Sequence, residues 1–186
     1  MTEITNAKIL IMATDGFEQS ELQVPLTKLR EAGAEVHVAS PEGREITGWD
    51  DKNWGESVPA DLSISEASVE TYDALVLPGG QINPDILRMN EEAIALVKGF
   101  ADSGKVLAAI CHGPWLLVEA GVARDRNVTS WPSLRTDLEN AGGKWTDAEV
   151  VTDHGIITSR NPGDLDAFVA KIIEEVKEGR HDRQAA

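Results

Sequence analysis

Cys111 is the chain's only cysteine, and His112 follows it, so two side-chain types that together can activate a sulfur nucleophile stand side by side. Before them, Val106 to Ile110 is a short, continuously apolar run, as in a strand buried on both faces of a parallel sheet. Gly113 and Pro114 end that run, and the segment to Glu119, with Gly121 beyond, reads as a short helix and its stop. The small-x-nucleophile-x-Gly pattern from Ala109 to Gly113 is that of a nucleophile elbow, in which a tight turn lifts the side chain above the sheet. A helix start offers unsatisfied N–H groups and the positive end of a dipole, which lower a thiol's pKa from about 8.5 toward roughly 3.5 to 7.5. The expectation is therefore a reactive thiolate, against the alternative of a small buried core cysteine.

Three further groups could serve such a sulfur. A carboxyl near Cys111 that burial keeps protonated could donate a hydrogen bond to the thiolate, and Glu18, after the first strand, is the candidate; the alternative is a solvated acid in the first turn of a helix. Gly79 and Gly80 follow another strand, where unobstructed N–H groups could receive an oxyanion together with an amide near the elbow, that of His112. His112 could move protons, provided the turn is bent sharply enough to aim neighbouring side chains at one place.

The elements that must position these residues alternate. Ala7–Ala13 reads as a strand, and a helical segment follows to Ala32, with Leu22, Leu26 and Leu29 inward and Pro25 expected to kink it or break its first turns. Glu35–Ser40 is a strand with His37 packed on it. Arg44–Ile64 is an extended excursion or hairpin carrying Trp49 and Trp54, which cover apolar surface, meet a second subunit or stack on a substrate. Asp73–Leu77 is a strand, Pro84 opens a helix reaching Asp102, Asn127–Ser130 is a short strand and Pro132–Ala141 a helix. Ala148–Thr152 and Gly155–Ser159 form a hairpin, Asp164–Lys177 a last amphipathic helix, and Gly179–Ala186 a frayed polar tail. Strands alternating with helices imply a flavodoxin-like, doubly wound α/β sandwich with a mostly parallel sheet, one domain over 1–186 with its core at about 7–178. Sites in such sheets gather at the carboxyl ends of the strands, where Glu18, Gly79-Gly80 and Cys111-His112 all fall.

With 32 acidic against 17 basic side chains, the net charge of -15 opposes nucleic-acid and anionic-membrane partners. One cysteine allows no internal disulfide, no signal-peptide layout opens the chain, and no apolar run approaches a membrane span, so a cytoplasmic protein is expected. No cysteine–histidine set has metal-ligand spacing and no nucleotide fingerprint occurs; no metal and no cofactor are expected.

G-F-E in the first turn, P-G-G followed by N-P-D, A-I-C-H-G-P, and S-R-N-P-G-D-L together resemble the PfpI (intracellular protease I) family of the ThiJ/PfpI, class I glutamine amidotransferase-like superfamily, from about Lys8 to Val176. The resemblance implies Cys111 as nucleophile, Glu18 as the acid beside it and His112 as the histidine of a peptidase-type site. It further implies an acidic residue from a neighbouring subunit at Asp85, where the family pattern has Glu, and a homodimer that can assemble into hexamers. The activities it implies are peptide hydrolysis, cofactor-free conversion of methylglyoxal to lactate, and removal of early glycation adducts from protein. Two functions follow. One is a stress-response cysteine enzyme acting on a carbonyl, as a peptidase, glyoxalase or deglycase on peptides, small reactive aldehydes or glycated protein. The other is a non-enzymatic redox sensor or holdase using an oxidisable Cys111.

Overall fold

A computed structural model of the protein describes residues 2–183. Its frame is a seven-stranded sheet formed by β1 (Lys8–Met12), β2 (Glu35–Ser40), β5 (Leu62–Ser63), β6 (Ala74–Leu77), β7 (Val106–Ile110), β10 (Val150–Asp153) and β11 (Ile156–Ser159). The strand order is β10-β11-β7-β6-β1-β2-β5, and only the β10 edge runs antiparallel to its neighbour. The flavodoxin-like expectation holds.

Alternation along the central strands splits the core into two layers. Ile9, Ile11, Val76, Ala108 and Ile110 face one side, covered by α1 (Gln19–Glu31) and α6 (Leu165–Glu178) through Leu22, Leu29, Phe168 and Ile172. Leu10, Met12, Leu75, Leu77 and Leu107 face the other, beneath α3 (Glu91–Ser103), α4 (Trp115–Glu119) and α5 (Arg135–Asn140). Burial on both faces is why these strands read as unbroken apolar runs. Two small sheets complete the structure, the hairpin β3 (Ile46–Asp50) and β4 (Asn53–Val58), and the pair β8 (Asn127–Val128) and β9 (Lys144–Trp145).

Four expectations are corrected. The segment from Pro84 to Asp102 is two helices, α2 (Ile82–Leu87) and α3, because Asn90 leaves helical geometry and its side chain caps α3 by accepting the Ala93 N–H at 2.9 Å. Pro25 does not break the first turns of α1, which is continuous through it and lacks only the N–H that would bond to the Glu21 carbonyl. The segment 132–141 opens as a short 3-10 turn, Pro132–Leu134, before α5. Residues 179–183 are not frayed. The His181 N–H donates to Gly104 O at 2.8 Å, and the Arg183 guanidinium donates to the carbonyls of Phe100, Ala101, Lys105 and His154. The rest of that expected tail, 184–186, lies outside the described residues.

Neighbouring strands β7, β6 and β1 bring their carboxyl ends together, so the loops after Ile110, Leu77 and Met12 meet at one place. The β3–β4 hairpin closes over it: the Trp49 N–H donates to Phe17 O at 2.7 Å, the Gly16 N–H to Thr47 O at 2.8 Å, and Asp15 Oδ1 accepts the Thr47 N–H at 2.7 Å.

Candidate active site

Cys111 leaves β7 with φ +62, a left-handed conformation that a side chain adopts at a steric penalty of about 1 to 2 kcal/mol. Backbone bonds hold it there. The Cys111 N–H donates to Ser159 O at 3.0 Å, its carbonyl accepts the Trp131 N–H at 2.9 Å, and the Gly113 N–H closes onto Ile110 O at 2.8 Å. The bend is sharp enough that His112 Nδ1 lies 3.1 Å from Cys111 Sγ. The imidazole stacks on Trp131 with centroids 5.9 Å apart and meets Trp115 edge-on at 5.2 Å. Burial among these rings holds its pKa down at about 4, so the ring is neutral at neutral pH and can accept a proton.

The carboxyl held against the sulfur is not that of Glu18 but that of Glu21, three residues on. Glu21 is fully buried, its Oε2 accepts the Gly79 N–H at 2.8 Å, and its side chain faces Cys111. Burial raises its pKa to about 8. Glu18 caps the start of α1, half-buried, with Ser20 Oγ donating to Oε1 at 3.2 Å; burial raises its pKa as well. It lines the pocket without being the acid on the sulfur. A sequence signal for Glu21 exists: it stands four residues before Pro25 and eight before Leu29 on the buried row of α1, a carboxyl placed among inward-facing residues.

The thiol's acidity is also corrected. Burial and the charge of Glu21 push the Cys111 pKa up, against hydrogen bonds from the backbone N–H groups of Gly80 and His112. Helix α4 begins only at Trp115 and is short, so its dipole does not offset the burial. Thiol and carboxyl behave as one titrating pair. Among the described residues Glu21 Oε1 is buried without a hydrogen-bond partner, so a proton on the carboxyl relieves it, while the Gly80 and His112 N–H groups favour negative charge on Sγ.

Of the three expected oxyanion donors, Gly80 and His112 direct their N–H groups at the sulfur, whereas the Gly79 N–H is already taken by Glu21. Gly79 has another reason to be glycine: a Cβ there would stand 2.5 Å from Glu21 Oε2 and 2.7 Å from Cys111 Cβ. Gly80 has φ +79, and a Cβ there would stand 2.5 Å from Gly16 O and 2.6 Å from the Glu18 N. Asn83, which sequence reasoning passed over in favour of Asp85 two residues later, holds this loop. Its Oδ1 accepts the Thr14 N–H at 2.8 Å, and its Nδ2 donates to the carbonyls of Pro78 and Gly79 at 3.0 and 3.1 Å. Asp85 is exposed on α2 and does not reach the pocket of its own chain.

Cys111 is 6% exposed and opens into a cavity of about 460 Å³ whose lining includes Glu18, Trp49, Asp51, Gly80, His112 and Trp131. Trp49 reaches this wall from the hairpin and packs edge-on against the more exposed Trp54, with centroids 5.5 Å apart. One group with metal-ligand spacing, not expected from sequence, exists among the described residues. Glu175, Glu178 and His181 place ligand atoms within 4.8 Å of one another beside the amino ends of the strands, and Glu175 and His181 pair at 3.2 Å.

A parallel α/β sandwich with a thiol on a strained elbow, a neutral histidine against it and a buried carboxyl beneath defines a cysteine-centred α/β protein. The chain belongs to the DJ-1/PfpI family, whose model matches residues 7–175. It is 46% identical to Deglycase TK1284 of Thermococcus kodakarensis over 90% of this chain and 98% of that one. It is 42% identical to Protein/nucleic acid deglycase 2 of Escherichia coli over 87% and 92% of the two chains, a name that stands against the exclusion of nucleic acid drawn from charge. Among solved structures it is similar to a two-domain protein of Anabaena variabilis with DJ-1/ThiJ/PfpI-like and ferritin-like domains, at TM-score 0.87 and 34% identity, covering 92% of this chain and 48% of that one. Among the described residues no helix is long and apolar enough to cross a membrane.

Proposed function

We propose that the protein is a cofactor-independent cysteine enzyme of deglycase or glyoxalase type, in which Cys111 attacks the aldehyde carbon of methylglyoxal or of its adducts. The observation that carries this reading is the elbow thiol in contact with both Glu21 and His112 at the floor of an open cavity. The deglycase names of its relatives support it.

Each step conserves atoms and electrons. Sulfur forms a bond to the aldehyde carbon; with an adduct, the carbon–nitrogen bond to the carrier breaks and the nitrogen leaves with a proton from the Glu21–His112 side. The oxygen's developing charge meets the Gly80 and His112 N–H groups. Neutral His112 takes the proton from the hemithioacetal carbon and returns it to the adjacent carbonyl carbon, while the hydroxyl proton passes from the first oxygen to the second. The first carbon is thereby oxidised by two electrons and the second reduced by two. Water then cleaves the thioester, releasing lactate and the thiol. A peptide carbonyl would be met by the same sulfur, with an amine leaving in place of the internal transfer.

The protein is inferred to act in the cytoplasm and as a homo-oligomer. The exposed apolar side chains Ile82, Ile86 and Met89 on or beside α2, with Asp85 among them, support a subunit contact on that helix. Lactate formation from methylglyoxal tests the reading. Cys111→Ser should lose about a thousandfold or more in kcat/KM; full turnover by that variant, or quantitative oxidation of wild-type Cys111 to a sulfinate with negligible turnover, would overturn it.

A further inference from the structure

The cavity above Cys111 has a one-sided charge. Glu18 and Asp51 line it, Asp50 precedes Asp51 in the hairpin, and among the described residues no lysine or arginine lines it. Among the described residues none of these three carboxylates forms an ion pair. Both hairpin acids raise the pKa of Glu18, so their fields overlap at the pocket wall. Lys52 follows in the turn but is exposed and outside the lining. The apolar part of the same wall includes two indoles, Trp49 and Trp131. Unneutralised carboxylates interleaved with indoles are a receptor for a cation: Coulomb attraction and the negative ring faces act together.

Resting on the deglycase reading above, we propose that this wall selects the carrier: the enzyme prefers carbonyl adducts borne on cationic peptides, seating a lysine or arginine side chain next to the modified residue between Glu18, Asp51 and the indoles. Anionic carriers, including phosphate-rich ones, are repelled by the same groups. The hairpin is then a specificity element. It is joined to the site through the Trp49 N–H bond to Phe17 O and supplies Trp49 and Asp51, but no group that touches the reacting sulfur.

The test uses two peptides carrying the same methylglyoxal-modified arginine, one flanked by lysines and the other by glutamates. Wild-type kcat/KM should favour the lysine-flanked peptide by about tenfold at low ionic strength, and the ratio should fall toward unity as the Debye length shrinks to about 3 Å at 1 M salt. Asp51→Lys should collapse the ratio at low salt. Because the readout is a ratio, a general loss of activity in that variant cancels. Glu174→Lys, on α6 outside the pocket, changes net charge equally and should leave the ratio intact. Equal rates on both peptides in wild type, with Cys111→Ser inactive, would overturn the carrier preference while the deglycase reading stood. Absence of turnover on either peptide and on free methylglyoxal would overturn the reading itself.

Discussion

Two side chains that both face Cys111, Glu21 and His112, are driven by burial toward neutrality from opposite directions. Glu21 titrates near 8 in the folded protein against an ordinary 4.5, so between those values the unfolded chain ionises while the folded one keeps its proton; this group's contribution to stability declines as pH rises through that window. His112 titrates near 4 against an ordinary 6.5, so its contribution is present above 6.5 and is lost as pH falls toward 4. Urea unfolding across pH should therefore show Glu21→Gln removing the decline on the alkaline side of this window and leaving the acid loss in place. An unchanged alkaline slope in that variant would show that Glu21 is not buried as described. At this scale sequence carried the sulfur and the histidine but chose the wrong acid. Glu18 and Glu21 both follow the first strand, and only their positions on α1 separate them: Glu18 caps the helix, while Glu21 shares the inward row of Pro25 and Leu29.

At the scale of elements, the strands and most helices were legible because burial on both faces leaves unbroken apolar runs such as Val106–Ile110, while helices keep a one-sided stripe such as Phe168, Val169, Ile172 and Val176. What was not legible came from polar groups whose partners lie far off in sequence. Asn90 ends one helix and starts the next through a single cap, and Asn83 reaches Thr14, 69 residues away, to tie the turn after β1 to the loop after β6. Arg183 is the strongest such case: it joins the end of α3, the start of β7 and the β10–β11 turn by filling four carbonyls. Its half-buried charge is held to a pKa of about 10 by desolvation. Arg183→Ala should lower unfolding stability by about 2 to 4 kcal/mol, since several charge-assisted bonds are lost and carbonyls are left unpaired. A change within about 0.5 kcal/mol, the usual size for a surface substitution, would show the strap to be ornamental.

Over the whole molecule, a functional site arises because the strand order β7-β6-β1 sets three loops side by side at one edge, each carrying a part the others lack: a thiol with its imidazole, a glycine pair, and the first turn of α1 with its buried carboxyl. Sequence alone could point to that edge, since every candidate followed a strand, but it could not say which acid the packing would seal beneath the sulfur. The chemistry of the site rests on Cys111 and Glu21 sharing their protons as one unit. This sharing is tested most directly by the rate of Cys111 alkylation by iodoacetamide as a function of pH in wild type, Glu18→Gln and Glu21→Gln. The rate should rise with pH through an inflection that belongs to the pair, keep that inflection in Glu18→Gln, and shift upward in Glu21→Gln, where the buried thiol must ionise without the carboxyl's proton. An inflection that moves in Glu18→Gln and stays in place in Glu21→Gln would contradict it.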